Sequence, residues 1–325
     1  MLCLGIESTA HTFGVGIVSD KGKILANSKD IYKPLPGSGI VPHDAKFHHE
    51  NCKKRVLEDA LKSAGVDLSD INLIAFSQGP GLPPCLWVGT EFAKKISSEN
   101  KIPLIGVNHP VAHIEIAKLT TGARDPVVIY VSGGNTQILA FVGGRYRVFG
   151  ETEDISIGNA LDTFARKVGL PYPGGPEIEK LAKKGKYVEL PYVVKGMDLS
   201  FSGIVTAAEK LYRDGVKLED ICFSLQETCF SMLVEVTERA VAHTGKKEVI
   251  LTGGVAANKR LIEMLDIMCK ERGCSFSSVP MEYSGDNGAM IAWTGVLAYK
   301  SGQRTKNFDP ISRWRTDEVE ISWIK

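Results

Sequence analysis

LCLGIESTAHTFGVGIVSDKGKILANS (residues 2–28) and VVIYVSGGNTQILAFVGGRYRVFGETED (residues 127–154) are laid out on one plan. Each opens with a short apolar run, breaks at a small or polar turn, and resumes in a second apolar run. Each then turns again, at Asp-Lys-Gly or at Gly-Gly, and closes on a third strand-like run. Short apolar stretches bounded by Gly, Ser and Asp predict β-strands, so each copy reads as a β-meander whose first turn can face an anion. Helical sequence follows both. HHENCKKRVLEDALKSAG (48–65) carries apolar residues at helical spacing, and IGNALDTFARKVG (157–169) runs into a Gly stop. A later stretch, EVILTGGVAANKRLIEMLDIMCKE (248–271), adds strand, Gly-Gly turn and helix.

A duplicated strand-turn-strand unit followed by helices, with Gly turns from both halves, points to a two-lobed α/β protein. The expected architecture is a duplicated ribonuclease-H-like fold of the actin/Hsp70/sugar-kinase (ASKHA) superfamily, with a nucleotide between the lobes. The expected division is an N-terminal lobe of residues 1–107 with a returning segment 290–325. A C-terminal lobe of residues 108–289 would carry the metal and nucleotide site. A helix at 287–301 is expected to return to the first lobe, where EVEISWIK (318–325) would add a terminal strand. The Pro- and Gly-rich loop KPLPGSGIVPHDA (33–45) is expected to form a mobile edge of the cleft.

The 325 residues suit two such lobes, and 43% hydrophobic with 24% charged residues is ordinary for a globular protein. A formal net charge of +1 argues against a broadly basic nucleic-acid binder and leaves open local patches, such as Lys53-Lys54-Arg55 and Lys183-Lys184 with Lys186. The seven cysteines include no CxxC spacing, so reduced thiols in a cytoplasmic protein are expected. Cys222 and Cys229, in the apolar run ICFSLQETCFSML, read as core. MLCLGIEST has no signal-peptide character, and VVIYV (127–131) is far too short to span a bilayer, so no membrane association is expected.

The chemistry concentrates in residues 108–137. His109 and His113 lie four apart, which on a helix puts both imidazoles on one face, where they can converge on a metal ion. Tyr130, at the end of a strand, and Asp286, in the Gly-flanked turn SGDNGAM, are the candidate further ligands. Imidazole, carboxylate and phenolate donors favour iron or zinc. Pro110 stands where a zincin helix carries its glutamate, which argues against metalloprotease chemistry. Ser132, Gly133 and Gly134 offer backbone amides to a phosphate. Gly253 and Gly254 let the chain approach a base or ribose, and Asn258 has donor and acceptor groups for a purine. The turn Pro173-Gly174-Gly175-Pro176, with Glu177 and Glu179, suits ribose hydroxyls, and Asp162 is a further inward candidate. His43, His48 and His49 diverge on either kind of element, so they read as a polar helix start rather than a chelate.

With these residues in view, the chain resembles one family over essentially its whole length. ESTAHT, FSQGPGL (76–82), GVNHPVAHIEI (106–116), YVSGGNTQ (130–137), FGETEDISIGNALDTFAR (149–166), KGMDLSFSG (195–203), GGVAAN and DNGAM look like the tRNA threonylcarbamoyladenosine synthases. The closer likeness is to the archaeal/eukaryotic catalytic subunit of the KEOPS complex, related to bacterial TsaD and formerly described as an O-sialoglycoprotein endopeptidase. The resemblance implies transfer of a threonylcarbamoyl group from threonylcarbamoyl-AMP to N6 of the adenosine 3′ of the anticodon in ANN-decoding tRNAs. It implies one metal ion, iron with zinc as the alternative, on His109, His113, Tyr130 and Asp286. It places an adenine nucleotide, ATP or the AMP moiety of the donor, on Tyr130, Val131, Ser132, Gly133, Gly134, Asp162, Gly175, Glu179 and Asn258. Partners implied are tRNA, a RIO-type kinase-like ATPase, a dimerising small subunit and a tRNA-binding subunit. The sequence departs from the family at Trp87, where an Arg is usual, and at Ser8, Pro110 and Ser284. Two other readings fit the same fold: a small-molecule kinase, and a non-catalytic nucleotide-binding scaffold that regulates a partner kinase.

Overall fold

The computed structural model describes residues 1–34 and 39–324. The chain opens with three strands, β1 (Leu2–Glu7), β2 (Thr12–Ser19) and β3 (Ile24–Ile31), joined as antiparallel neighbours. Helix α1 (Pro42–Ala64) follows, then β4 (Leu73–Gly79), α2 (Pro83–Asn100), β5 (Leu104–Asn108) and α3 (His109–Thr121). The sheet runs β3-β2-β1-β4-β5, with β1, β4 and β5 parallel. Helix α1 begins inside the stretch read as a loop, because Pro42 is well suited to a helix's first turn. The expected mobile edge falls partly on residues 35–38, outside the described residues.

The second copy gives β6 (Val127–Val131), β7 (Thr136–Val142) and β8 (Arg145–Glu151). After it come α4 (Ile157–Lys167), α5 (Gly174–Ala182), the short pair β9 (Val194–Lys195) and β10 (Asp198–Leu199), α6 (Ser202–Arg213) and α7 (Leu218–Thr244). The chain continues through β11 (Glu248–Thr252), α8 (Lys259–Glu271), β12 (Ser275–Ser278), α9 (Met281–Ser284) and α10 (Gly288–Lys300). This sheet runs β12-β11-β6-β7-β8. Matching β6 to β1, β7 to β2, β8 to β3, β11 to β4 and β12 to β5 reproduces the order of the first sheet. The duplication seen in sequence is therefore a duplication of topology.

The chain forms two compact units. One comprises residues 1–120, 142–146 and 286–325, the other residues 121–141 and 147–285. The division differs from the expected break at 107. Strand β5 passes into α3 with no intervening residue, and Asn108 caps the helix by accepting from Val111 N at 3.1 Å. Helix α3 thus stays with the first unit, and so do His109, His113 and Asp286. The first unit buries Ile6, Phe13, Ile17, Val56, Phe76 and Phe92 in one cluster, and the second buries Val127, Ile129, Phe164, Phe201, Phe230 and Leu251. Cys222 and Cys229 lie fully buried on α7, and burial pushes both thiols up to about 12. They are core residues, as the sequence suggests, and are ill-suited to nucleophilic work.

Helix α10 does return to the first unit, packing on β1 and β2. A Cβ on Gly5 would lie 2.2 Å from Ala292 N, one on Gly16 2.2 Å from Ala289 N, and one on Gly288 2.1 Å from Gly16 N. Helix and sheet backbones touch directly, and only glycine permits it. The expected terminal strand is absent. Residues 318–324 contain no strand, and the segment is held by a single-turn helix at Thr316–Glu318 and by Ile321 N donating to Gly144 O at 2.9 Å.

Replacing Gly16 with alanine should therefore destabilise the protein by roughly 1–3 kcal/mol, the usual cost of forcing a methyl into a filled contact. Gly203→Ala, on an exposed helical position with nothing within 4 Å of the new carbon, should be neutral or stabilising. Denaturant midpoints of the two variants check the difference.

Candidate metal centre and nucleotide turn

The N-terminal turn of α3 presents His109 and His113 on one face, with ring centroids 4.7 Å apart and the planes at 83°. Asp286 lies two residues before α10, whose N-cap Asn287 accepts from Met290 N at 2.9 Å. Because α10 is locked on the sheet, the Asp286 carboxylate is brought to the histidines. Its Oδ1 lies 3.3 Å from His113 Nε2 and 3.5 Å from His109 Nε2. One donor atom from each residue falls in a group within 4.8 Å of one another. Donors about 2.0–2.2 Å from one ion in a tetrahedral arrangement lie about 3.4 Å apart, and the separations of 3.3 and 3.5 Å match that.

Behind His109 stands a residue the sequence reading passed over. Glu7, the last residue of β1 and fully buried, accepts from His109 Nδ1 through Oε2 at 2.9 Å. Its other oxygen accepts from Thr9 N at 2.7 Å and from the Thr9 hydroxyl at 2.5 Å. A carboxylate that engages Nδ1 and leaves Nε2 facing outward is the usual outer partner of a metal-binding histidine. The signal was present in GIEST, as a carboxylate ending an otherwise apolar strand.

Burial alone would lower the His109 pKa, but the charge and hydrogen bond of Glu7, followed by Asp286, raise it to about 9. Burial lowers that of His113 despite its hydrogen bond to Asp286. Burial works to raise Asp286, yet its hydrogen bond with His113 and the charges of His109, His11 and His113 hold it well below the usual carboxylate range. Glu7 and Asp286 as carboxylates with both imidazoles neutral sum to −2, which a divalent cation balances. The donor set fits such an ion.

Tyr130 and the Ser-Gly-Gly turn belong to the second unit. Tyr130 is buried on β6, and Val131 ends that strand. Ser132 N donates to Asn135 O at 2.8 Å, while Ser132 Oγ accepts from Gly134 N at 3.2 Å and Asn135 N at 3.0 Å. Two of the three amides expected to face a phosphate are thus engaged within the turn, and the exposed Gly133 amide is the donor it presents. The turn rests on the start of α4, since a Cβ on Gly158 would lie 2.5 Å from Ser132 O and Ile157 N donates to Thr136 Oγ1 at 2.8 Å. A helix N-terminus adds its partial positive charge there.

The remaining nucleotide candidates have structural work as well. Asp162 accepts from Gly174 N at 2.7 Å, tying the start of α5, which includes Gly175, to α4. Glu179 accepts from Lys259 N at 3.1 Å. Asn258 caps α8 by accepting from Arg260 N and Leu261 N, and its amide donates to Gln226 Oε1 at 3.2 Å. Gly253, at φ +97°, follows β11, and a Cβ on it would lie 2.2 Å from Val131 O. Its glycine is required by that approach.

The four departures from the family pattern also have places. Trp87 is exposed on α2 with Lys94 Nζ 5.5 Å from its ring centroid. Ser8 is buried, its Oγ 1.9 Å from where a Cβ on Gly89 would sit. Pro110 occupies the first turn of α3, and Ser284 donates to Met281 O at 2.9 Å. His43 is exposed in the first turn of α1, as a polar helix start expects, but His49 departs from that reading. His49 is fully buried against Phe13, and burial pushes its imidazole down to about 4. His48 faces Asp30 at 3.2 Å.

Comparison with known proteins decides what the chain is related to. The profile of the TsaD family, tRNA N6-adenosine threonylcarbamoyltransferase, matches residues 22–293. The chain belongs to this family. It is 57% identical to the tRNA N6-adenosine threonylcarbamoyltransferase of Thermococcus kodakarensis, covering 99% of this chain and 100% of that one. It is 55% identical to the Methanopyrus kandleri protein of the same name, over 99% and 96%. A Methanocaldococcus jannaschii relative, the probable bifunctional tRNA threonylcarbamoyladenosine biosynthesis protein, is 56% identical and spans further sequence, this chain covering 61% of it. Among solved structures, HypF of T. kodakarensis aligns with a TM-score of 0.67 at 17% identity, over 94% of this chain and 49% of that one. The activator of the 2-hydroxyisocaproyl-CoA dehydratase from Clostridium difficile aligns at 0.56 and 13%, over 94% and 99%. These two likenesses establish the fold, which is the duplicated ASKHA-type architecture read from the sequence.

In this family member, Glu7→Gln should keep the fold and weaken metal binding by about 10- to 100-fold, the usual effect of removing a carboxylate behind a ligating histidine. Calorimetric titration of metal-stripped protein with Fe(II) or Zn(II) measures it.

Proposed function

We propose that the chain transfers the threonylcarbamoyl group from threonylcarbamoyl-AMP to N6 of the adenosine 3′ of the anticodon in ANN-decoding tRNAs. Membership of the family gives the reaction class. The convergence of His109, His113 and Asp286, with Glu7 behind His109, is the observation that supports placing the chemistry there. The ion in this reading is iron, with zinc as the alternative. Tyr130 is proposed as its fourth ligand on the family resemblance alone. When bound, such an ion supplies Lewis acidity to the carbamoyl carbonyl and offsets phosphate charge.

The side chains divide the remaining work. Glu7 fixes the tautomer and orientation of His109, so that Nε2 and not Nδ1 is offered to the site. Asp286 supplies a carboxylate that stays ionised across the physiological range. The Gly133 amide and the start of α4 suit the donor phosphate, as helix N-termini commonly do. Val131 to Gly134, with Asp162, Gly175, Glu179 and Asn258, are assigned to the adenine nucleotide, which is the AMP moiety of the donor or ATP. The N6–carbamoyl bond forms as the carbamoyl–phosphate C–O bond breaks, the amine proton passes to water, and AMP leaves with its charge met by the Gly133 amide and the start of α4, so a covalent intermediate on the chain is unnecessary.

The reading extends to partners. The catalytic chain is proposed to act within a KEOPS-type assembly containing a RIO-type kinase-like ATPase, a dimerising small subunit and a tRNA-binding subunit. A formal net charge of +1 fits a chain that draws part of its grip on tRNA from such partners. Among the described residues no helix is long and apolar enough to cross a membrane, and a cytoplasmic location is part of the same proposal.

The test combines this chain, the expected partner subunits, threonylcarbamoyl-AMP and unmodified ANN-decoding tRNA. Mass spectrometry of the digested nucleosides then looks for threonylcarbamoyladenosine. Product is expected, and it should fall by about two orders of magnitude or more in His113→Ala, the scale set by losing an electrostatic stabiliser. Undiminished product from His113→Ala would remove the metal centre from the mechanism. Absence of product alongside partners that are active with a relative would favour the scaffold reading.

A further inference from the structure

A second group of metal-ligating side chains lies on the first unit, at the start of α1. His48 and Cys52 are four apart on that helix, which repeats the spacing of His109 and His113 on α3. Asp30, from β3, faces them. One donor atom each from Asp30, His48 and Cys52 falls within 4.8 Å of the others. His48 Nε2 is shut off from solvent and makes no well-formed hydrogen bond, although Asp30 Oδ1 is 3.2 Å away. The two oxygens of Asp30 are shared out, because Oδ2 is held by the Arg55 guanidinium while Oδ1 turns to His48. Cys52 is buried, its Sγ 3.7 Å from His49 O, and an open cavity of about 710 Å³ lined also by Tyr32, His43 and Asp44 adjoins the group.

We propose that Asp30 Oδ1, His48 Nε2 and Cys52 Sγ form a second metal site, distinct from the His109/His113/Asp286 centre, for a thiophilic divalent cation of the Zn(II) class. A thiolate, an imidazole and a carboxylate are zinc donors, and hard cations such as Mg(II) or Ca(II) avoid sulfur. The fourth position opens on the cavity, where water completes a tetrahedron. The ion ties α1 to β3 across the loop that joins them.

Binding is balanced by one proton. The Cys52 thiol loses H⁺ to water as its sulfur takes the metal, and the imidazole of His48 binds in its neutral form. Thiolate and carboxylate then cancel the ion's two charges. Arg55, on the far oxygen of Asp30, orients that carboxylate much as Glu7 orients His109, and its positive charge keeps the affinity below that of a site without it.

The two centres differ in chemistry, so one probe separates them. Metal-stripped protein is titrated with Co(II), whose bond to thiolate gives a charge-transfer absorption in the near ultraviolet that nitrogen and oxygen ligands do not. The wild type should show this band and bind two equivalents by elemental analysis. Cys52→Ser should abolish the band and leave one equivalent. His113→Ala should keep the band and also leave one. Asp30→Asn, which preserves volume, should weaken the band-forming step should Cys52→Ser fold poorly. The proposal is overturned if saturated wild type shows no thiolate band, or if the band survives Cys52→Ser unchanged. Either result leaves the His109/His113/Asp286 centre untouched, since that site has no sulfur.

Discussion

The contact on which the first unit depends is the one between the backbone of α10 and the backbones of β1 and β2. Gly5, Gly16 and Gly288 leave no Cβ at the three points where the backbones meet, so the helix lies closer to the sheet there than larger residues would allow. Two chemical consequences follow from this packing. Asp286, the second residue before the helix, is held at a fixed height above the sheet. Glu7 ends β1 under the same helix. With α3 leaving β5, two strands along the sheet from β1, two carboxylates and two imidazoles meet without a long loop to place them.

Collecting those groups in a buried position is costly unless they neutralise one another. Charges about 4 Å apart at an effective dielectric near 20 interact by roughly 4 kcal/mol, so a pair of buried carboxylates is tolerated only beside cations. The shifts show that compensation at work: Glu7 and Asp286 lift His109 while the histidines hold Asp286 ionised. The same constellation suits a divalent ion better than protons, because the imidazoles can then remain neutral donors. In the second unit the logic is different. There, the Ser-Gly-Gly turn uses its own hydroxyl to satisfy two amides and leaves the Gly133 amide exposed, at the N-terminus of α4.

Much of this was legible in the residues. The repeated strand-turn-strand plan fixed the topology because both copies carry buried strands and Gly turns at matching places. The His109/His113 spacing and the Gly-flanked Asp286 identified three groups that the fold unites. What escaped the reading depended on distant partners. Glu7 looked like the end of a strand until α3 was placed beside it. His48 became informative only when β3 brought Asp30 to it, and His49 when Phe13 covered it. The terminal EVEISWIK pattern alternates like a strand, but its backbone is engaged elsewhere, with Ile321 donating to Gly144. The break near 107 was misplaced because the continuity of β5 and α3 at Asn108 is a matter of capping, which a Gly- and Pro-based reading overlooks.

The sharing of one ion by His109, His113 and Asp286 is a proposal that anomalous diffraction from crystals grown with iron, collected at the iron edge, can decide. The expected result is a peak on the first unit at about 2.0–2.2 Å from His109 Nε2, His113 Nε2 and Asp286 Oδ1, with Glu7 still bound to Nδ1. A fully occupied iron elsewhere, with no peak among these three residues, would contradict it.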